Sequence, residues 1–336
     1  MIKQYASIMS RRHVLAGLAA GTSLAACDMQ SSRAMRAADT HPIDYPTVRA
    51  VAHMGDLLAA RTGGRLRIKI YAGSQLGAER DTLEITAFGG IDLNRVNLAP
   101  LNSIEPLTIV PSLPFLFRSK QHMRSALDGA PGRVILDSLA AHDLIGLCFY
   151  DSGERSFYNT QRPINTPDDM AGLKIRVQNS DLYVAMIKAL GADATPMPLG
   201  EVYQSLAQGV VDGAENNWPS YDSGRHFEVA RYYSLTRHVM APEVLVMSRR
   251  YWESLTADDQ DLVRETAIES VNYMRLLWDE RVEKSKARIL SAGVAVNEIT
   301  DLSLFTKKME PIWQQFVKTD LQKKLVADIV SMEVGL

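Results

Sequence analysis

The chain has 336 residues, a formal net charge of −2, 46% hydrophobic and 23% charged residues and 7% aromatics, the profile of a folded globular protein rather than a disordered one. At about 150 residues per domain, that length supplies two lobes whose cores need no disulfide or metal staples. Lys, Arg, Asp and Glu are scattered with no long basic stripe, which argues against nucleic acid and favours a small-molecule partner.

Lys3, Arg11 and Arg12 precede a weakly apolar run, 14–26, that ends in small residues, and this predicts a signal peptide over 1–26. The run is shorter than the ~20 residues a membrane-spanning helix needs, and no later stretch qualifies. Ser10-Arg11-Arg12 resembles a twin-arginine signal, but His13 and Ala16 replace the Phe and Lys such signals favour, so the twin-arginine and Sec routes both stay open. Leu24-Ala25-Ala26-Cys27 resembles a bacterial lipobox, which implies acylation of Cys27 and, with Asp28 following, a periplasmic protein held at the inner membrane. Ordinary cleavage beside an incidental Cys is the alternative. Cys148 is then the remaining thiol, and no disulfide is expected. The leader carries +3, so the mature chain, from −2 overall, comes to about −5.

A polar, Ala-rich linker is expected over 27–40. Pro46 opens a helix with Val48, Val51, Met54 and Leu58 on one face, closed by Gly63-Gly64. Leu66, Ile68 and Ile70 alternate with Arg67 and Lys69 as in a half-buried strand. A second helix runs from Glu79 to Gly89-Gly90, and a strand follows over 91–96. Strands over 144–150, 173–177 and 210–214 alternate with helices over 181–190 and 201–208, a pattern of mainly parallel sheets flanked by helices. Thr256, Asp258 and Asp259 start a helix that meets no Gly or Pro before Gly293. At 1.5 Å per residue it is ~50 Å long, enough to span both lobes.

Ligands of open parallel sheets bind beyond the carboxyl ends of strands. Four polar residues lie there: Asn97, Arg155, Arg176 and Asn216. Two guanidiniums and two amides suit an organic acid, because Arg offers a planar fork to both carboxylate oxygens and Asn both donates and accepts. Singly, each has a plainer reading: Arg176 pairs with Asp168 or Asp169, and Asn216 closes a turn.

The chain resembles the DctP-like solute-binding proteins of tripartite ATP-independent periplasmic (TRAP) transporters over nearly all its mature length. Gly73-Ser74-Gln75-Leu76-Gly77, Pro114-Phe115-Leu116-Phe117, the run 166–177 ending Lys174-Ile175-Arg176-Val177, Glu201-Val202-Tyr203 and the run 208–216 ending Asp212-Gly213-Ala214-Glu215-Asn216 carry the resemblance. It implies a two-lobed periplasmic-binding-protein-like α/β fold that closes over an organic acid and passes it to the TRAP permease. It further implies that Arg176 pairs with the ligand carboxylate, that Asn216 contacts the ligand, that Arg155 is a second ligand-facing Arg, and that Glu79 and Asn97 meet polar ligand groups from the opposite lobe. Asn97 stands where sialic-acid-binding members have an acid, and Leu199 where they have an aromatic, which tells against sialic acid.

Asn216-Asn217-Trp218-Pro219-Ser220-Tyr221, with His41-Pro42 and Asp44-Tyr45-Pro46, is similar to members that take hexuronates, so D-glucuronate or D-galacturonate is the expected ligand, with His41 and Trp218 in the site. An indole face suits a sugar ring; packing between helices is the other reading of Trp218. A C4-dicarboxylate or a 2-oxo acid is the alternative ligand, and an exported sugar-acid-processing enzyme the alternative class. No His-Glu-x-x-His, Gly-x-Ser-x-Gly, Walker or dinucleotide motif occurs, so neither catalysis nor a metal or cofactor is expected. The expected division is 41–152 and 242–280 for the first lobe, 153–241 and 281–336 for the second, with a helix over about 257–291 shared by a monomer.

Overall fold

The computed structural model describes residues 33–332; the expected signal peptide and Cys27 lie outside them. The chain folds into two α/β lobes, each built on one sheet. The first sheet runs β2 (Ile68–Tyr71), β1 (Met35–Ala38), β3 (Leu93–Asn97), β10 (Glu243–Ser248), β4 (Leu144–Tyr150). The second runs β11 (Ala295–Glu298), β9 (Tyr232–Met240), β5 (Glu154–Asn159), β8 (Gly213–Asn216), β6 (Lys174–Val177), β7 (Asp193–Pro196).

Each sheet is parallel except for one reversed strand: β10 pairs antiparallel with β3 and β4, and β5 with β8 and β9. Both reversed strands arrive directly from the other lobe. The chain leaves β4 and enters β5 through 151–153, then returns from β9 to β10 through 241–242. Gly153 sits in the first passage with φ +62°, and a Cβ there would stand 3.0 Å from Cζ2 of Trp278. Glycine is required by both the backbone angle and the indole.

Several elements form where local chemistry places them. Pro46 begins the helix Pro46–Arg61, whose buried face includes Val48, Val51, Met54 and Leu58, and Gly63 and Gly64 turn the chain at positive φ. Thr256 caps the helix Ala257–Ser291 by accepting from the backbone N–H of Asp259. This 35-residue helix packs on Pro46–Arg61 and β4 in the first lobe and on helix Trp218–Ser223 in the second. Trp278 is buried in its middle, edge-on to Tyr45.

Three expectations need correction. Residues 35–38, placed in a linker, form β1; Met-Arg-Ala-Ala has little intrinsic strand preference, and pairing with β2 on one side and β3 on the other supplies what propensity does not. The strands expected over 91–96 and 210–214 end later, at Asn97 and Asn216. The C-terminal residues do not all belong with the second lobe. Helix Ser303–Phe316 packs on helix Asp181–Ala189, whereas helix Asp320–Ser331 packs on 106–112 and helix Ala130–Ser138. Cys148 is a free thiol buried in β4, and burial pushes its pKa up to about 12. Among the described residues, no helix is long and apolar enough to cross a membrane and no cluster of His, Cys, Asp and Glu could hold a metal ion.

Candidate functional site

A cavity of about 270 Å³ opens between the lobes, lined by Thr40, Ser74 and Glu79 from the first and Arg176, Gln178 and Leu199 from the second. The turn 73–77 is held against the end of β1 by backbone bonds from Gly73 N–H to the His41 carbonyl and from Ser74 N–H to the Asp39 carbonyl. That places Ser74 and the N-terminus of helix Glu79–Ala87 at the cavity.

Arg176 is 2% exposed. Its Nε and Nη2 donate to the Met197 carbonyl at 3.0 and 2.7 Å, while Nη1 is buried with no partner. It makes no ion pair among the described residues. Asp169, expected as its alternative partner, instead accepts from the backbone N–H groups of Asn165 and Thr166, capping the turn at Pro167. Burial lowers the Arg176 pKa, and burial together with the Arg176 charge holds neighbouring His226 neutral, down to about 3. A buried cation without an anion is costly, and a ligand carboxylate placed against Nη1 would neutralise it.

Arg155 behaves differently from the expected second ligand-facing Arg. Its Nε and Nη2 clasp both carboxylate oxygens of Glu215, Nη2 also donates to the Glu215 carbonyl, and Nη1 donates to Asn216 Oδ1 at 2.9 Å. Four of its five N–H groups are thereby committed, and its charge is met inside the protein. Burial pushes the Glu215 carboxyl up, but the Arg155 guanidinium and His238 outweigh that and bring it down to about 2. His238 stacks on Phe157 at 4.2 Å with its Nε2 3.5 Å from Glu215. Arg155 is a positioning residue: it holds Asn216, whose Oδ1 also accepts from Asn217 N–H, with the amide nitrogen left over.

On the first-lobe wall, Glu79 Oε1 accepts from Arg95 Nη1 and from the backbone N–H of Asn97, both at 3.1 Å. Asn97 is buried at the end of β3, its Oδ1 accepting from Ala99 N–H. His41 is buried edge-on to Tyr45, with Nε2 3.9 Å from Glu243 Oε1. Trp218 is not brought to this cavity. It lies edge-on to Tyr233 at 4.5 Å and lines a separate groove of about 630 Å³ with Trp278, Leu235 and Val296. Trp218 begins the helix Trp218–Ser223 that Asn217 caps, and its ring packs on Tyr233 of β9.

Residues 37–320 match the family model for bacterial extracellular solute-binding protein, family 7, known as DctP. The chain belongs to this family. A solute-binding protein of Chromohalobacter salexigens is 47% identical over 290 residues, covering 86% of each chain. A TRAP periplasmic solute-binding protein of Xanthobacter autotrophicus, solved with bound β-D-galacturonate, is 49% identical and superposes with a TM-score of 0.87 over 89% of this chain and all of the other. A second, from Chromohalobacter salexigens with bound D-glucuronate, is 46% identical with a TM-score of 0.86, over 88% of this chain and 99% of its own. DctP proteins are the extracytoplasmic binding components of TRAP transporters, and the two-lobed fold described above is theirs.

Within this DctP chain, sequence reasoning overlooked Arg95, Glu215, His238 and Glu243, the buried partners of Glu79, Arg155 and His41. Arg95 shares a face of β3 with Asn97 by strand alternation, a signal that could have found it. Glu215 lies in the run that carried Asn216. Glu243 is brought beside Asn97 by antiparallel pairing over long sequence separation and His238 lies where the β5–β9 register shifts, so no local pattern marks them.

Proposed function

We propose that this TRAP solute-binding protein captures a hexuronate, D-galacturonate or D-glucuronate, with Arg176 taking its carboxylate, Asn216 fixing that group from the second lobe, and Glu79, Asn97 and His41 meeting ring hydroxyls from the first. The observation that carries the reading is the Arg176 guanidinium, buried in the inter-lobe cavity with Nη1 unbonded. The hexuronates bound by two similar proteins support the ligand class. Contacts made from both walls at once favour the closed arrangement and supply the differential affinity that lobe closure requires. The protein binds and releases its ligand unchanged. The lipobox supports an acyl anchor at Cys27, and the mature protein acts as a monomer.

A thermal-shift screen followed by calorimetry tests the ligand class. A ligand at 100 times its Kd adds about 2.7 kcal/mol of stability, and micromolar binding corresponds to about −8 kcal/mol. Galacturonate and glucuronate are expected to raise Tm and to titrate at one site, with succinate and pyruvate inert. Stabilisation by succinate or pyruvate alone overturns the hexuronate reading, and sustained product formation from a hexuronate overturns the binding one.

A further inference from the structure

The first-lobe wall gathers more negative charge than its guanidinium offsets. Arg95 is fully buried, and three carboxylates converge on it: Asp39 through Nε at 2.8 Å and again through Nη2, Glu79 Oε1 at 3.1 Å and Glu243 Oε2 at 3.1 Å. Arg281 of the long helix, whose charge also reaches His41 and Tyr45, is engaged by Asp44 and Asp222, and Arg176 acts on Glu79 from across the cavity. Carboxylates crowded together away from water do not all ionise readily; one tends to keep a proton.

Glu243 is the member placed to keep it. It stands at the cleft end of β10, opposite Asn97 in β3 and Tyr150 in β4. The groups facing it are His41 and Tyr45 before helix Pro46–Arg61, Asp39 after β1, Glu79 of helix Glu79–Ala87, Arg95 of β3, and Tyr150 and Ser152 at the end of β4, with Arg281 acting on His41 and Tyr45 beside it. Glu243 Oε2 lies near Arg95 without hydrogen-bond geometry, and both ring nitrogens of His41 are buried with no partner among the described residues. Two unpartnered ring nitrogens, with Nε2 3.9 Å from Glu243, at the strand end beside Asn97 point to a polar guest. Burial raises the Glu243 carboxyl, Arg95 lowers it, and Asp39 and Glu79 raise it again, to about 7. Burial, with Arg95 and Arg281, keeps His41 neutral.

We infer that Glu243 and His41 form a hydroxyl-reading subsite that takes up one proton, on Glu243, when the hexuronate anion binds. This rests on the hexuronate reading above. A protonated carboxyl and a neutral imidazole each donate and accept, the same dual character a sugar hydroxyl has. The hexuronate carboxylate sits on the opposite wall, while ring hydroxyls closing over Glu243 take it further from water beside Asp39 and Glu79, so binding strengthens the hold of Glu243 on its proton, and the proton comes from solvent. By linkage, affinity is full below about pH 7 and falls above it, by up to ~tenfold per pH unit.

Calorimetry with D-galacturonate or D-glucuronate tests this on the full mature chain. Wild-type Kd is expected to climb above about pH 7 and Glu243→Gln to lose that slope, while titrations of wild type in phosphate and in Tris at about pH 7.5 report uptake of roughly half a proton or more per ligand. His41→Phe keeps a ring against Tyr45 and is expected to weaken binding by ~tenfold or more. An unchanged slope in Glu243→Gln, zero proton uptake by wild type, or wild-type affinity in His41→Phe each overturns the inference. If Glu243→Gln does not fold, the two-buffer measurement on wild type decides alone. Tight hexuronate binding with no proton uptake sinks this subsite only, whereas no hexuronate binding at any pH sinks the functional reading.

Discussion

On the second-lobe wall, Arg155 and Glu215 satisfy each other through a two-pronged pair and leave Arg176 as the one cation in the cleft without an anion among the described residues. On the first-lobe wall the proportions invert, with one guanidinium among three carboxylates. The two walls differ in polarity while using the same residue types. On the proposed reading, an acid with a hydroxylated body has one orientation: its charged head goes to the second lobe and its hydroxyls to the first. Two arginines only 21 positions apart in sequence, both on strands, take opposite roles because one has a buried glutamate across the β5–β8 ladder and the other faces a carbonyl.

The largest effect that can break this contrast is expected at Glu215. Replacing it by Ala strands the buried Arg155 charge, which costs about 3–5 kcal/mol and is read in urea melts. The same pair sets an acid limit. With its carboxyl depressed to about 2 from the ordinary 4.5, Glu215 contributes stability that is present above about pH 4.5 and lost as pH falls toward 2. Melts of wild type are expected to decline through that window, and melts of Glu215→Gln to lack this component.

Arg176 comes next. Arg176→Ala is expected to lower hexuronate affinity by ~100-fold, and Arg176→Lys to restore little of it, because an ammonium cannot reproduce the fork. Wild-type affinity in both variants by calorimetry would remove Arg176 from the site. The smallest effect belongs to Trp218. Because its side chain lines a different groove, Trp218→Phe is expected to change affinity by less than about threefold, and a tenfold loss would return the indole to the ligand.

Features carried by local chemistry were legible in the sequence. The helix Ala257–Ser291 follows from a Thr cap and an uninterrupted run, and β4 from a continuous apolar stretch. Arg176 was placed correctly at the end of its strand. What could not be read depends on partners distant in the chain. Met35–Ala38 is a strand only because two neighbours flank it. Arg155 is spent on a residue 60 positions later, and Glu243 is brought beside Tyr150 and Asn97 by pairing with strands about 100 and 150 positions earlier. Periodicity says which face a residue is on, not whether a buried charge is already met.

The two reversed strands carry a consequence for biogenesis. β10 fills the gap between β3 and β4, yet it is synthesised only after nearly all of the second sheet. Until residue 248 has emerged, β3 and β4 have no strand between them and present raw edges open to aberrant pairing. Neither half can mature ahead of the other. A nascent chain cut short before that point is expected to be a substrate for chaperones and proteases, not a half-working clamp.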